Sequence, residues 1–100
     1  MKTDKIKIRL GTENNKQKLL NSHHGLDKFF FGNGRLVIAE NGNDIVGFLW
    51  AHKRKISAPV EAEEMFINYI TVFEPELRRR GIGTQMVQKI IEIAKAEQVY

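Results

Sequence analysis

The sequence predicts one small α/β domain, of the α+β kind, in which helices flank a mixed and mostly antiparallel sheet. Three observations predict it: an alternating segment near the start, two apolar runs around an Asn-Gly turn, and an amphipathic segment near the end. With 100 residues, of which 42% are hydrophobic, the chain suits a single domain spanning residues 1–100. The predicted order of elements is β-α-α-β-β-β-α.

The first part of the chain predicts a strand followed by two short helices. Residues 5–10 alternate between charged and apolar side chains, which is typical of a strand with one solvated face. Asn14 or Asn15 is the expected cap of the first helix, because an amide oxygen can accept from the free N–H groups there. Residues 26–31 are expected to form a second, shorter helical piece.

The middle of the chain predicts three strands. Two apolar runs, residues 36–39 and 45–51, stand on either side of Asn41-Gly42-Asn43-Asp44, which is a strong signal for a hairpin. Residues 53–64 are polar and are expected to form a loop or a frayed extension of that hairpin. Residues 65–73 are rich in aromatic and β-branched side chains, which indicates a buried strand.

The last predicted element is an amphipathic helix that runs toward Gln98. Glu74-Pro75 separates it from the preceding strand. Its apolar side recurs at helical spacing and contains Gly83, Met86, Val87, Ile90, Ile91 and Ala94.

Composition excludes several classes of function before any motif is considered. The chain has no cysteine, so a disulfide framework and thiolate chemistry are excluded. No segment approaches transmembrane length, and the start lacks the apolar run of a signal peptide, so we expect a cytoplasmic protein. The net charge of +4 favours anionic ligands, but it does not choose among phosphates, nucleic acid and acidic surfaces.

A basic and glycine-containing segment, Arg78-Arg79-Arg80-Gly81-Ile82-Gly83, stands between the buried strand and the last helix. The first N–H groups of a helix lack intrahelical acceptors, and with the helix dipole they attract anions. Glycines let a phosphate approach the backbone, and arginines supply the opposite charge. We therefore expect this segment to hold the diphosphate of a cofactor.

The segment and the strand before it resemble the acyl-CoA signature of the GNAT superfamily, the acyl-CoA-dependent N-acyltransferases. Ile70-Thr71-Val72 precedes the segment, Arg78 occupies the first position of the signature, and Gly81 and Gly83 are its glycines. The order of predicted elements also agrees with the family from Lys5 to Gln98.

The resemblance implies an N-acetyltransferase that passes an acetyl group from acetyl-CoA, as co-substrate, to a primary amine by direct attack on the thioester. No metal is implied. The main chain of residues 79–84 would hold the diphosphate, and the strand would hold the pantetheine amides as a neighbouring strand does. The implied cofactor-binding residues are Ile70, Thr71, Val72, Phe73, Arg78, Arg79, Arg80, Gly81, Ile82, Gly83 and Thr84.

The chain departs from the family pattern in two ways. The interval from Val72 to Pro75 is one residue longer than the commonest spacing, and the sequence given ends at Tyr100. Family members usually continue with a fifth strand, a fourth helix and a closing hairpin, so the resemblance covers the front part of the family domain. One flank of the central strand would then be an open edge, and we expect a second copy to cover it in a homodimer.

A carboxylate just before the central strand is the expected proton acceptor. An attacking amine is mostly protonated near neutral pH, since its reference pKa is ~10.4, so a base must take a proton. Glu64 is the candidate catalytic residue, with Glu61 and Glu63 behind it, and the alternative is that all three solvate a loop. His23 and His24 are adjacent and cannot face one metal from a helix, so no metal site is predicted.

Two other classes of function remain open. A catalytically incomplete chain would bind acyl-CoA or a protein partner without transfer. A basic domain that binds nucleic acid through residues 78–80 is less favoured, because the aromatic residues lie mostly within apolar runs. A Walker loop and a dinucleotide fingerprint are excluded, since no Gly-Lys-Ser/Thr follows and Met86 stands where a third glycine belongs. The sequence does not identify the acceptor amine.

Overall fold

The element order in the structure, a computed structural model, is β-α-β-β-β-α. The structure describes residues 6–22, 25, 30, 34–56, 62–75 and 81–97. The elements are β1 (Ile6–Leu10), α1 (Glu13–Ser22), β2 (Gly34–Asn41), β3 (Asp44–Ile56), β4 (Ala62–Val72) and α2 (Ile82–Ala96). The helical piece expected at residues 26–31 lies outside the described residues, apart from Phe30.

The four strands form one sheet in the order β1-β2-β3-β4, and every described pair is antiparallel. The predicted hairpin is confirmed, because β2 and β3 pair outward from Asn41 and Asp44. Gly42 supplies the positive φ of 64° that such a tight turn needs. β4 is the edge strand of the described sheet. These findings confirm the predicted α+β class.

Among the described residues, each face of the sheet carries one hydrophobic cluster and one helix. On the first face, which we call the α2 face, the buried cluster contains Val37, Ala39, Val46, Leu49, Ala51, Val72, Ile82, Met86 and Ile90. On the second, the α1 face, it contains Leu19, Leu36, Ile38, Phe48 and Trp50. The strands therefore send alternate side chains into two cores, and each fully buried Val, Leu, Ile, Phe or Met side chain stabilises the fold by about 1.5–3 kcal/mol.

Helix α1 is capped by a different residue from the one expected. The Thr12 N–H donates to Asn15 Oδ1 at 2.8 Å, and the Asn15 N–H donates to Thr12 Oγ1 at 3.3 Å. This reciprocal arrangement is that of a capping box, in which the cap and the residue three positions later satisfy each other. The expectation that Asn14 or Asn15 is the cap is therefore wrong. The hydroxyl of Thr12, about one turn earlier, accepts the hydrogen bond that caps the helix.

Strands β3 and β4 extend beyond their apolar runs. Residues 52–56 pair with residues 62–66, so most of the polar stretch continues the β3–β4 pair rather than forming a loop. The opposed side chains of Arg54 and Glu64 form an ion pair, and the Arg54 guanidinium lies 4.3 Å from the centre of the Phe66 ring. Cross-strand contacts of this kind stabilise paired strands without an apolar run to mark them.

Candidate functional site

The start of α2 presents free donors toward the end of β4. Gly81 precedes the helix with φ 74° and ψ 17°, a left-handed conformation that glycine adopts without strain. Its carbonyl accepts from the Gln85 N–H at 3.0 Å, which fixes the first turn. The N–H groups of residues 82–84 have no intrahelical acceptor, and no described side chain caps this end.

A groove of about 390 Å³ runs between the end of β4 and the first turn of α2 and is lined by Ile70, Thr71, Val72 and Gly83. The space beside Gly83 is open, because an added Cβ would approach nothing closer than the Ile70 Cδ1 atom at 4.0 Å. All four lining residues are among those that the sequence assigned to the cofactor. The structure therefore brings the strand and the helix start together around one open space.

The residues of this region contribute in different ways. The side chains of Ile82 and Val72 are buried in the core, so only their main chains face the region of the groove. Phe73 packs against the cluster on the α1 face, whereas Thr84 is exposed. Arg78, Arg79 and Arg80 lie outside the described residues.

The pairing of β4 with β3 decides which main-chain groups face the open edge. The Phe73 N–H donates to the Val46 carbonyl at 2.8 Å, so Phe73 turns its main chain toward β3. Main-chain groups alternate in direction along a strand, so Thr71 also faces β3, while Ile70 and Val72 direct their N–H and C=O groups away from it. Of the four strand residues assigned to pantetheine, these two have the required direction.

Glu64, the predicted proton acceptor, lies toward the opposite end of β4 from the groove. Six positions separate it from Ile70, which is ~20 Å along an extended strand. Its carboxylate is hydrogen-bonded to the Arg54 guanidinium on the neighbouring strand. The structure thus places Glu64 on the edge strand but in an ion pair, and its catalytic role stays a prediction.

The sequence analysis did not select His52, a histidine that lies on the same face of the sheet as Glu64. His52 Nδ1 is hydrogen-bonded to Asn68 Oδ1, and the His52 ring meets the Phe66 ring edge-on with centroids 5.7 Å apart. Asn68 is the extra residue of a β-bulge, since Trp50 pairs with Tyr69 while Ala51 pairs with Ile67. The available signal was Asn68 itself, a polar residue between aromatic and aliphatic neighbours in β4.

The C-terminal end of α2 is attached to the sheet by ion pairs. Glu97, the residue that ends the helix, accepts from Arg35 Nη2 and Lys53 Nζ, each at 2.7 Å. The Arg35 and Lys53 hydrogen bonds lower the pKa of the Glu97 carboxyl from its ordinary value to about 2. These contacts tie α2 to β2 and β3 at the end remote from the groove.

Neither a metal-binding cluster nor a membrane-spanning helix occurs among the described residues. No group of three or more His, Cys, Asp or Glu side chains among the described residues is arranged to hold a metal ion. None of the described helices is both long and apolar enough to cross a membrane.

Comparisons with known proteins agree with this geometry. Residues 8–100 match the family model described as the acetyltransferase (GNAT) family. A solved integron cassette protein from the mobile metagenome of V. cholerae has a similar fold, with a TM-score of 0.72 and 15% sequence identity over 95% of this chain and 71% of that one. No curated protein matches the sequence. Because the family model spans nearly the whole sequence, the chain belongs to the acetyltransferase (GNAT) family, a family of acyltransferases.

Proposed function

We propose that the protein transfers an acetyl group from acetyl-CoA to a primary amine by direct attack of the amine on the thioester. The observation that carries the proposal is the groove lined by Ile70, Thr71, Val72 and Gly83. It joins the outward-facing side of β4 to the start of α2, which no described side chain caps, so it suits a ligand with an extended arm and an anionic end. Membership of the acetyltransferase family supports the same ligand.

The anionic end of such a ligand fits the start of α2. Three N–H groups point out of the first turn, and the positive end of the helix dipole favours a phosphate there. The first turn contains no acidic side chain that would repel it. Arg78 and Arg80 would add counter-charge, and the exposed Thr84 would add a hydroxyl donor.

The extended arm of the ligand fits the edge of β4. Pantetheine carries two amides, and an amide-containing chain can lie beside an edge strand as another strand would. Ile70 has the matching direction of its main chain, and its half-open side chain, 38% exposed, offers apolar surface to the arm. The two ends of the groove would therefore bind two chemically different parts of one molecule.

The reaction itself needs little beyond orientation and a proton acceptor. The amine nitrogen forms a bond with the thioester carbon, the carbon–sulfur bond breaks, and the electron pair leaves with sulfur. Two substrates held side by side gain rate from proximity alone, so no covalent enzyme intermediate is required. A main-chain N–H at the edge of β4 would stabilise the negative oxygen of the tetrahedral intermediate.

One titration tests the proposal against its alternatives. Purified protein is titrated with acetyl-CoA by calorimetry, and thiol release is followed after addition of small amines, amino acids and peptides. Binding with amine-dependent thiol release is the expected result. Binding without thiol release would instead favour an acyl-CoA-binding module. Oligonucleotide binding with a steep salt dependence and no effect of the coenzyme would favour the nucleic-acid alternative.

Removing the basic side chains tests where the diphosphate lies. Arg78→Ala with Arg80→Ala should weaken coenzyme binding by a few kcal/mol in total, at about 1.5–3 kcal/mol for each charge-assisted hydrogen bond. Lys95→Ala is the matched control, because it removes a positive charge from the other end of α2. Unchanged affinity in the double variant would place the diphosphate elsewhere.

We also propose that a second copy of the chain covers the edge of β4. Phe66 and Ile67, which do not line the groove, are each more than a third exposed on this strand, and open apolar edges of sheets are usually covered. Sedimentation at tens of micromolar should show a homodimer. A monomer under those conditions would contradict this part of the proposal.

A further inference from the structure

The end of β4 that lines the groove is attached to a β-bulge in the neighbouring strand β3. The residues on either side of Val46 pair with consecutive residues of β2, so Val46 is the extra residue of this bulge. The Val46 carbonyl accepts from the Phe73 N–H at 2.8 Å, directly beyond the end of β4. Bulges bend the strand that contains them and are frequent beside functional sites.

Gly47, which follows the bulge, has no room for a side chain. It pairs with Ala39 and Val72, both of which belong to the cluster on the α2 face, so a side chain at this position would point to the α2 face. An added Cβ would lie 2.8 Å from the Thr71 carbonyl oxygen and 3.3 Å from the Val72 Cα atom. Non-bonded carbon atoms are most stable at about 3.5–4.0 Å, so the end of β4 would have to move away from β3.

Helix α2 approaches the same point. The Met86 Cε atom would lie 3.4 Å from the added Cβ, and Met86 is fully buried about one turn beyond Gly83. Gly47 is therefore the place where β3, β4 and α2 come closest together. Thr71 and Val72 form the strand wall of the groove, and Gly83 forms its helix wall. The absence of a side chain at position 47 thus allows the present separation of the two walls.

We propose that Gly47 is a positioning residue for the coenzyme, because its missing side chain sets the distance between the strand wall and the helix wall of the groove. The identity of the ligand in this inference rests on the proposed function. Coenzyme A would contact both walls at once, with its arm beside β4 and its diphosphate at the start of α2. A misplacement of about 1 Å between such contacts can cost ~10²-fold, even when the residue that causes it touches no ligand.

Two ligands of different extent separate positioning from a general structural role. Coenzyme A spans both walls, whereas ADP carries a diphosphate without the arm and would contact only the start of α2. By calorimetry, Gly47→Ala should weaken coenzyme A binding by about 10–100-fold and leave ADP binding unchanged, because the alanine moves one wall relative to the other. An equal loss for both ligands would make Gly47 merely structural and would overturn the inference, as would unchanged coenzyme A binding.

Gly11→Ala is the matched control for crowding within the sheet. An added Cβ at Gly11 would lie 2.6 Å from the Leu36 Cδ2 atom, a contact as close as the one at Gly47. Leu36 pairs with Trp50, three positions along β3 from Gly47, and belongs to the cluster on the α1 face. Gly11→Ala should therefore lower stability in urea without changing coenzyme A affinity. A loss of affinity equal to that of Gly47→Ala would overturn the inference.

Amide hydrogen exchange in the unaltered protein tests the inference even if Gly47→Ala does not fold. The Phe73 N–H should exchange slowly, because its bond to the Val46 carbonyl holds the end of β4 against β3. Exchange of this amide at the rate of an unstructured chain would overturn the inference, since the strand wall would then have no fixed position. If the unaltered protein does not bind coenzyme A at all, the proposed function fails as well.

Discussion

The two ends of helix α2 differ in how their unsatisfied charge is compensated. At the first end, Gly81 and Gly83 carry no side chain, the first turn has no acidic residue, and a groove opens beside it. At the last end, Glu97 is bound by Arg35 and Lys53 from two strands of the sheet. The C-terminal end is therefore neutralised by side chains of the protein itself, whereas the N-terminal end presents its N–H donors outward.

The helix dipole explains why the two ends of α2 need different partners. The C-terminal end of a helix carries partial negative charge, so a carboxylate such as that of Glu97 is unfavourable there unless cations offset it. Arg35 and Lys53 provide that offset, and the pKa of Glu97 falls to about 2. The start carries partial positive charge and lacks such an offset among the described side chains. Helix α2 therefore stabilises the fold through its C-terminal end, and in the proposed function its N-terminal end would bind the anion.

The largest expected effect is on binding, from filling the groove. Gly83→Leu should weaken coenzyme A binding by at least tenfold, about 1.4 kcal/mol or more, because the side chain would extend toward Ile70 and occupy the space. The free energy of unfolding should not fall, since glycine is a poor helix former. Calorimetric titration and urea unfolding measure the two quantities.

A matched substitution controls for added apolar surface on the same helix. Gln88→Leu, at an exposed position further along α2, should leave coenzyme affinity unchanged. Equal losses in the two variants would mean that the groove is not the binding site.

The next largest effect is on stability and comes from breaking the ion pairs at the C-terminal end of α2. Glu97→Gln removes the charge that attracts Arg35 and Lys53 and leaves those two cations beside each other. Urea unfolding should show a loss of about 1–2 kcal/mol, allowing for the partial exposure of the pair. Coenzyme affinity should be unchanged. A variant that is fully stable but binds weakly would reverse the division of roles between the two ends.

The pH dependence of stability sharpens the same point. Because the pKa of Glu97 is lowered in the folded protein from 4.5 to about 2, its contribution is fully present above pH 4.5 and is lost as the pH falls toward 2. The difference in unfolding free energy between the unaltered protein and Glu97→Gln should therefore shrink over that interval. A difference that stays constant from pH 5 to pH 2.5 would contradict the ion-pair explanation.

Local sequence patterns were enough to predict the start of α2 and its surroundings. The Asn41-Gly42 hairpin, the apolar stripe of α2 and the glycines at its start all depend on neighbours within one or two turns of chain. The resemblance to the acetyltransferase family, rather than a local pattern, assigned Ile70 and Gly83 to one site, and both residues line one groove in the structure. Local patterns did not choose the cap of α1, because Thr12 and the asparagines nearby all carry suitable oxygen acceptors.

Features that depend on distant pairing were not predictable. The Arg35–Glu97 ion pair joins residues 62 positions apart, and neither sequence neighbourhood indicates the other. The bulge at Asn68 appears only when β4 is aligned with β3, since alternation within one strand does not show an extra residue. The contact between His52 and Asn68 follows from that register and was missed for the same reason.

The smallest expected effect separates backbone conformation from space at the start of α2. Gly81 and Gly42 both have positive φ, 74° and 64°, and an added Cβ would meet nothing within 4 Å at either position. Alanine at either site should therefore cost about 1 kcal/mol of unfolding free energy through backbone strain alone. Urea unfolding of the two variants measures that cost.

Gly81 begins the helix whose Gly83 lines the groove, whereas Gly42 lies in the β2–β3 turn, so their effects on binding should differ. Gly81→Ala should also weaken coenzyme binding, because relaxing its φ turns the N–H groups of the first turn of α2 away from the groove. Gly42→Ala, in the β2–β3 turn, should bind normally despite the same loss of stability. If both variants bind equally well, the left-handed residue before α2 serves only to begin the helix, and the donors of its first turn do not hold the coenzyme.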